Sequence, residues 1–215
     1  MQAVLFDMDG VLVDSEDYWV TREREALLPR AVPDHDVAVS EITGMNYREI
    51  YDYLEDEYGT AVSRERFETL FEDVAEDIYR EDVTLLAGTH DLLAGLERRG
   101  VARAIVSSSP HAWIDIVRER FGLHGSFDAV VSAEDVDGPG KPAPDVFEYA
   151  AAELGVPPAA CLVIEDSAHG IQAATAAGAT CVAYAIDAHE GIDYGAADAV
   201  VETPAALSRA VRERI

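Results

Sequence analysis

An α/β fold is predicted, a doubly wound parallel sheet (Rossmann-like core) carrying an inserted α-helical cap, on three observations. Short apolar runs recur along the chain, amphipathic stretches that end in glycine separate most of them, and one long stretch near the N-terminus has helical patterning with no strand in it. The apolar runs at 3–6, 102–106, 129–132, 161–164, 180–186 and 199–201 have strand length and little alternation, as strands buried on both faces do. Helical patterns at 90–99, 112–121, 145–154 and 171–177 are stopped by Gly100, Gly122, Gly155 and Gly178, the residue that best accepts the left-handed backbone of a helix end. The stretch 15–83 departs from this rhythm. Its amphipathic patterns at 47–58 and 63–80 open on Asn46 and Ser63, whose side chains suit helix N-caps. Residues 1–14 and 84–215 are therefore assigned to the α/β core and 15–83 to a helical cap inserted after the first strand.

Composition narrows the function classes. The chain has 215 residues, 49% of them hydrophobic, enough for one ordinary core with a smaller inserted unit. Its formal net charge is -26, and 20 of the 42 acidic residues fall within 15–83. Such a surface repels polyanions, so nucleic acid and anionic membranes are not expected partners. Lys141 is the only lysine beside 15 arginines. Acid excess with almost no lysine is the composition of cytosolic proteins from salt-accumulating cells, and a halophilic protein is the expectation. Cys161 and Cys181 lie in apolar runs and read as core rather than as a disulfide or metal pair. With no basic leader and no apolar run of roughly 20 residues, a cytoplasmic location and a monomer are the default expectations.

Four loops at or just beyond strand ends hold the polar residues, and ligands of open parallel sheets bind at that edge. In Asp7-Met8-Asp9-Gly10, two carboxylates at i and i+2 leave a strand toward one side, where one can be a nucleophile and the other can move protons. The pair could equally share a hard cation, although the glycine and glutamate positions of a calcium loop are missing. Ser107-Ser108-Ser109 runs into a helix start and fits either helix capping or anion binding. Lys141 in Gly140-Lys141-Pro142-Ala143-Pro144 offers a compact ammonium on a flexible stem, a point charge suited to a small anion. Glu165-Asp166-Ser167 closes an apolar strand with two more carboxylates.

These four segments, in this order, resemble the motifs of the haloacid dehalogenase-like hydrolase superfamily, in its branch with a helical cap between the first and second motifs. The resemblance covers essentially the whole chain. It implies phosphoryl transfer through a covalent aspartyl-phosphate, with Asp7 as nucleophile and Asp9 as acid and base. It also implies Mg²⁺ held by the Asp7 carboxylate, the Asp9 backbone carbonyl and Asp166, with Glu165 bound directly or through water, and a small phosphate ester as substrate. Ser107, Ser108 and Lys141 would hold the phosphoryl oxygens. An aspartate at position 9 suits a phosphatase or phosphomutase, since dehalogenase relatives lack a leaving-group acid. Sugar phosphomutases similar to this chain carry a cap histidine and a cap lysine; here Trp19 stands in the histidine's place and the helix of residues 67–80 has no lysine. A phosphatase acting on phosphoglycolate or a sugar phosphate is therefore expected, a β-phosphoglucomutase-like enzyme being the alternative. Trp19, Gly44 and Arg48 are the cap residues expected to meet substrate.

Overall fold

The computed structural model describes residues 1–42, 45–186 and 191–215. Six strands form one parallel sheet: β1 (Ala3–Phe6), β2 (Ala102–Ser107), β3 (Ala129–Ser132), β4 (Cys161–Glu165), β5 (Thr180–Tyr184) and β6 (Ala199–Val201). Their spatial order is β3-β2-β1-β4-β5-β6. The chain thus winds outward from β1 in both directions, and β1 with its neighbours β2 and β4 forms the point where the winding reverses. Phe6 pairs with Ile105 on one side and Ile164 on the other. One residue further on, Asp7 therefore lies level with Val106 and Glu165, and the polar loops emerge together.

Side chains alternate across the sheet with period two. Ala3, Leu5, Ala104, Val106, Cys161, Val163 and Cys181 pack beneath α7 (Asp145–Glu153) and α8 (Ala168–Ala176). Both cysteines are buried, free thiols. Val4, Phe6, Ile105, Leu162, Ile164 and Val182 face the opposite way, toward α5 (Thr89–Arg98), α6 (His111–Arg120) and α9 (Pro204–Arg214), in a cluster that continues into the helical segment. The glycines after α5, α6, α7 and α8 all take positive φ, between 62° and 77°. Strand β5 ends at Tyr184, two residues short of the apolar run, and the Ile186 side chain lies beside Gly10.

Between β1 and α5 lie α1 (Glu16–Arg22), α2 (Leu28–Ala31), α3 (Tyr47–Glu57) and α4 (Arg64–Asp77), with no strand among the described residues. Asn46 accepts from the Arg48 N–H at 3.0 Å and Ser63 from the Arg66 N–H at 3.3 Å, as helix caps. One expectation changes here. The helix expected over 63–80 is α-helical only to Asp77, then widens into a π-helical turn, Ile78–Asp82; α1 likewise runs into a π-helical turn, Glu23–Leu27. The two chain crossings between this segment and the sheet run side by side. Leu86 N–H donates to the Leu12 carbonyl at 2.8 Å, and Thr84 donates to the Asp14 carboxylate through its N–H and hydroxyl at 2.5 and 2.6 Å. No described helix is long and apolar enough to cross a membrane.

Candidate active site

Strand geometry delivers Asp7 from β1, Ser107 from β2 and Glu165 from β4, while the 133–144 connection brings Lys141 across them. The Lys141 ammonium donates to Asp7 Oδ1 at 2.8 Å, Glu165 Oε1 at 2.5 Å and the Val106 carbonyl at 3.3 Å. Its side chain is 5% exposed. Burial alone would lower the Lys141 pKa, but the charges of Asp7 and Glu165 and their hydrogen bonds outweigh it and hold the group protonated. Glu165 is fully buried, and its second oxygen accepts from the Asp166 and Ser167 N–H groups and the Ser167 hydroxyl.

Asp7, Glu165 and Asp166 each offer a carboxylate oxygen within 4.8 Å of the others. Burial, above all, raises the pKa of Asp7, with Glu165 and Asp9 adding to it and Lys141 opposing it. Asp166 is raised in the same way, first by burial and then by its acidic neighbours. Three buried carboxylates against one ammonium leave an excess of negative charge, a donor set that fits a hard divalent cation. Local packing is shaped to it. Gly10 has φ of 70° and passes so close to Asp166 that a Cβ there would collide with the carboxylate. A Cβ on Gly170 would likewise collide with the Glu165 carboxylate.

Asp9 is set apart from this trio. Its Oδ1 accepts from the Ser15 hydroxyl at 2.6 Å and the Tyr79 hydroxyl at 2.7 Å, and its Oδ2 from the Ser109 hydroxyl at 2.8 Å. The Trp19 indole donates to the Tyr79 oxygen at 3.1 Å, completing a chain from α1 to the carboxylate. Burial, then Glu16, raises the Asp9 pKa, while the hydrogen bonds from Ser15, Tyr79 and Ser109 oppose the rise. Among the described residues its carboxylate lies outside the group Asp7, Glu165 and Asp166 whose oxygens are close enough together to hold a metal.

A cavity of about 120 Å³ lies between the strand ends and the helical segment. Asp7, Asp9, Ser107, Ser108, Lys141 and Asp166 form its floor, and Glu16, Trp19, Glu23, Tyr47, Phe71 and Trp113 line it from above. Most residues singled out from sequence thus converge here, with Glu165 directly beneath Lys141. Arg48 does not line the cavity: its guanidinium bonds Glu134 at 3.3 Å and lies 5.0 Å over the Tyr47 ring, tying α3 to the connection after β3. Gly44 falls outside the described residues. Sequence reasoning missed Ser15, Tyr79 and Ser109 as partners of Asp9, and Glu23 in the cavity wall. Ser109 carried a signal, as part of the serine run; Tyr79 lies 70 residues from Asp9 and carried none.

A family description, haloacid dehalogenase-like hydrolase, matches residues 4–184. Hexitol phosphatase B of Escherichia coli (strain K12) is 32% identical over 181 residues, covering 81% of this chain and 79% of that protein. The β-phosphoglucomutase of Bacillus subtilis (strain 168) is 30% identical over 217 residues, covering 97% of this chain and 92% of that one. Among solved structures, CbbY from Rhodobacter sphaeroides in complex with phosphate superposes with a TM-score of 0.82 at 23% identity, covering 96% of each chain, a likeness of fold.

Proposed function

The chain belongs to the haloacid dehalogenase-like hydrolases, and from that premise we propose that it is a Mg²⁺-dependent phosphatase of a small phosphorylated metabolite, phosphoglycolate or a sugar phosphate. The reading rests on one observation, the convergence of Asp7, Asp9, Ser107, Lys141 and Asp166 on a single cavity. Asp7 attacks phosphorus, so that its carboxylate oxygen gains the phosphoryl group as the ester P–O bond breaks. Asp9 gives its proton to the departing oxygen; the pKa raised by burial and by Glu16 suits it to arrive protonated. Water then attacks the same phosphorus, passing a proton to Asp9, and the Asp7–phosphorus bond breaks to release inorganic phosphate. The Ser15, Tyr79 and Ser109 hydrogen bonds orient Asp9 through both transfers.

Lys141 sets its charge beside Asp7, and Ser107 and Ser108 line the floor where phosphoryl oxygens would rest. Asp7, Asp166 and the Asp9 backbone carbonyl would hold Mg²⁺, which supplies positive charge to the buried carboxylates and to the phosphoryl group. Glu165 spends both oxygens on Lys141, Ser167 and the Asp166 N–H, which favours a link to the metal through water.

The second reading is a phosphomutase, favoured by the similarity to the Bacillus subtilis β-phosphoglucomutase. A mutase must grip a second phosphate while the sugar turns, and Lys141 is the one cation lining the cavity among the described residues. Product identity separates the two: free phosphate accumulates from a monophosphate in hydrolysis and stays on the sugar in the mutase. Asp7→Asn is expected to abolish Mg²⁺-dependent turnover of p-nitrophenyl phosphate, and activity retained in that variant would sink the mechanism.

A further inference from the structure

Opposite the strand ends, the cavity wall has a chemistry that phosphate transfer does not require. Glu16, Trp19, Val20 and Glu23 line it at spacings of three, four and seven residues, one stripe along α1 and the π-helical turn that follows. Trp19 lies between Phe71 and Trp113, with ring centroids 5.8 and 5.5 Å away, and Tyr47 extends the aromatic wall at 5.2 Å from Trp113. Glu23 is 8% exposed, and no hydrogen bond or ion pair engages its carboxylate among the described residues. A buried carboxylate facing a cavity without a donor is costly to maintain. Burial, with Glu16 nearby, pushes its pKa up to about 8.

The other polar groups of the wall are committed elsewhere. The Trp19 N–H serves Tyr79, and the Tyr79 hydroxyl serves Asp9. Asn46 donates to the Ser108 carbonyl at 3.1 Å and accepts from the Arg48 N–H. Arg48 turns away to Glu134, Arg22 turns away to Asp82, and Lys141 is held by Asp7 and Glu165. The wall thus presents the Glu23 carboxylate and aromatic faces, and no described cation stands ready for a negative charge at the far end of a ligand.

We propose that Glu23 reads the far end of the substrate, accepting a hydrogen bond from a hydroxyl or ammonium group, so that phosphorylated polyols and aminoalkyl phosphates are taken and phosphorylated carboxylic acids are refused. The inference rests on the phosphatase reading and narrows it, keeping a polyol phosphate and removing phosphoglycolate. A hydroxyl satisfies Glu23 in either protonation state, an ammonium pairs with the ionised form, and C–H faces stack on the aromatic wall. A second carboxylate would meet Glu16 and Glu23 across a desolvated cavity, where like charges repel strongly.

Sorbitol 6-phosphate, O-phosphoethanolamine, phosphoglycolate and p-nitrophenyl phosphate, assayed with Mg²⁺ in 2 M KCl, test this. In the wild-type protein, kcat/KM for the better of the first two is expected to exceed that for phosphoglycolate at least about tenfold, and Glu23→Leu should shrink that ratio to within about threefold. Glu23→Gln, closer in shape, serves if the leucine variant does not fold. It keeps an acceptor oxygen without charge, so it should preserve preference for the polyol and lose preference for the amine. Donor-bearing substrates turned over no better than phosphoglycolate, a ratio unchanged in Glu23→Leu, or an O-phosphoethanolamine to sorbitol 6-phosphate ratio unchanged in Glu23→Gln, would overturn the proposal. A purely structural Glu23 would shift Tm and leave the ratio alone. If wild-type protein releases phosphate from none of the four, p-nitrophenyl phosphate included, whose far end carries no hydroxyl, ammonium or carboxylate, the phosphatase reading itself falls and takes this one with it.

Discussion

At Lys141, an ammonium with three protons meets three acceptors: Asp7 Oδ1, Glu165 Oε1 and the Val106 carbonyl, at 2.8, 2.5 and 3.3 Å. The fit explains why a chain that uses arginine everywhere else keeps one lysine. A guanidinium is planar and larger, and it cannot direct three N–H groups to those acceptors from a slot where the side chain is 5% exposed. Lys141→Arg, although it preserves charge, is therefore expected to lower kcat/KM at least about 100-fold, roughly 2.7 kcal/mol of transition-state stabilisation, in steady-state assays of any accepted monophosphate. Near-wild-type activity would reduce Lys141 to a structural counter-charge. The residue was conspicuous in the sequence because it was unique. Its acceptors were only partly legible, since the Val106 carbonyl belongs to backbone that any residue would supply.

Elements set the distances that residues then use. Helix α8 rests on β4 so closely that Gly170 leaves just the space the Glu165 carboxylate occupies. Gly170 is helical without positive φ, so alanine there gains roughly 1 kcal/mol of intrinsic helix propensity while forcing Glu165, and with it Lys141, to move. Gly170→Ala is expected to lower kcat/KM at least about tenfold while Tm changes little, a split that thermal melts and kinetics on one preparation would reveal. Unchanged kinetics would mean that the Glu165–Lys141 contact tolerates displacement. Strands and helix ends were readable because apolar runs and stopping glycines are local signals. The π-helical turns were not, because Glu23–Leu27 and Ile78–Asp82 continue amphipathic helices whose sequence gives no sign of the wider turn. Those two turns bring Glu23 and Tyr79 to the cavity.

Over the whole molecule, 42 acidic residues face 16 basic ones, and several arginines are already spent in pairs such as Arg22–Asp82, Arg64–Asp52 and Arg118–Asp115. Most of the acid surface is left without a neutralising partner. In molar salt the Debye length falls to about 3 Å, which removes the long-range part of this repulsion. Tm is expected to rise when KCl is increased from 0.1 M to 2 M, measured by calorimetry at constant pH. A flat or falling Tm would remove the halophilic reading.

The amino-acid sequence by itself determined the doubly wound sheet, the interrupted strand-helix rhythm at 15–83 and the four polar loops at or just beyond the strand ends, because strand runs, helix stops and paired carboxylates are short-range patterns. Tertiary structure decided which partners those residues keep. It gave the Asp9 carboxylate to Ser15, Tyr79 and Ser109, grouped Asp7 with Glu165 and Asp166, turned Arg48 out to Glu134, and set Glu23 in the cavity wall. Contacts between residues as far apart as Asp7 and Lys141, 134 positions along the chain, depend on how β1, β2 and β4 align and on how closely α8 and the helical segment approach them. Burial then raises the pKa values of Asp7, Asp9 and Asp166, and it exists only once the chain has closed over the site.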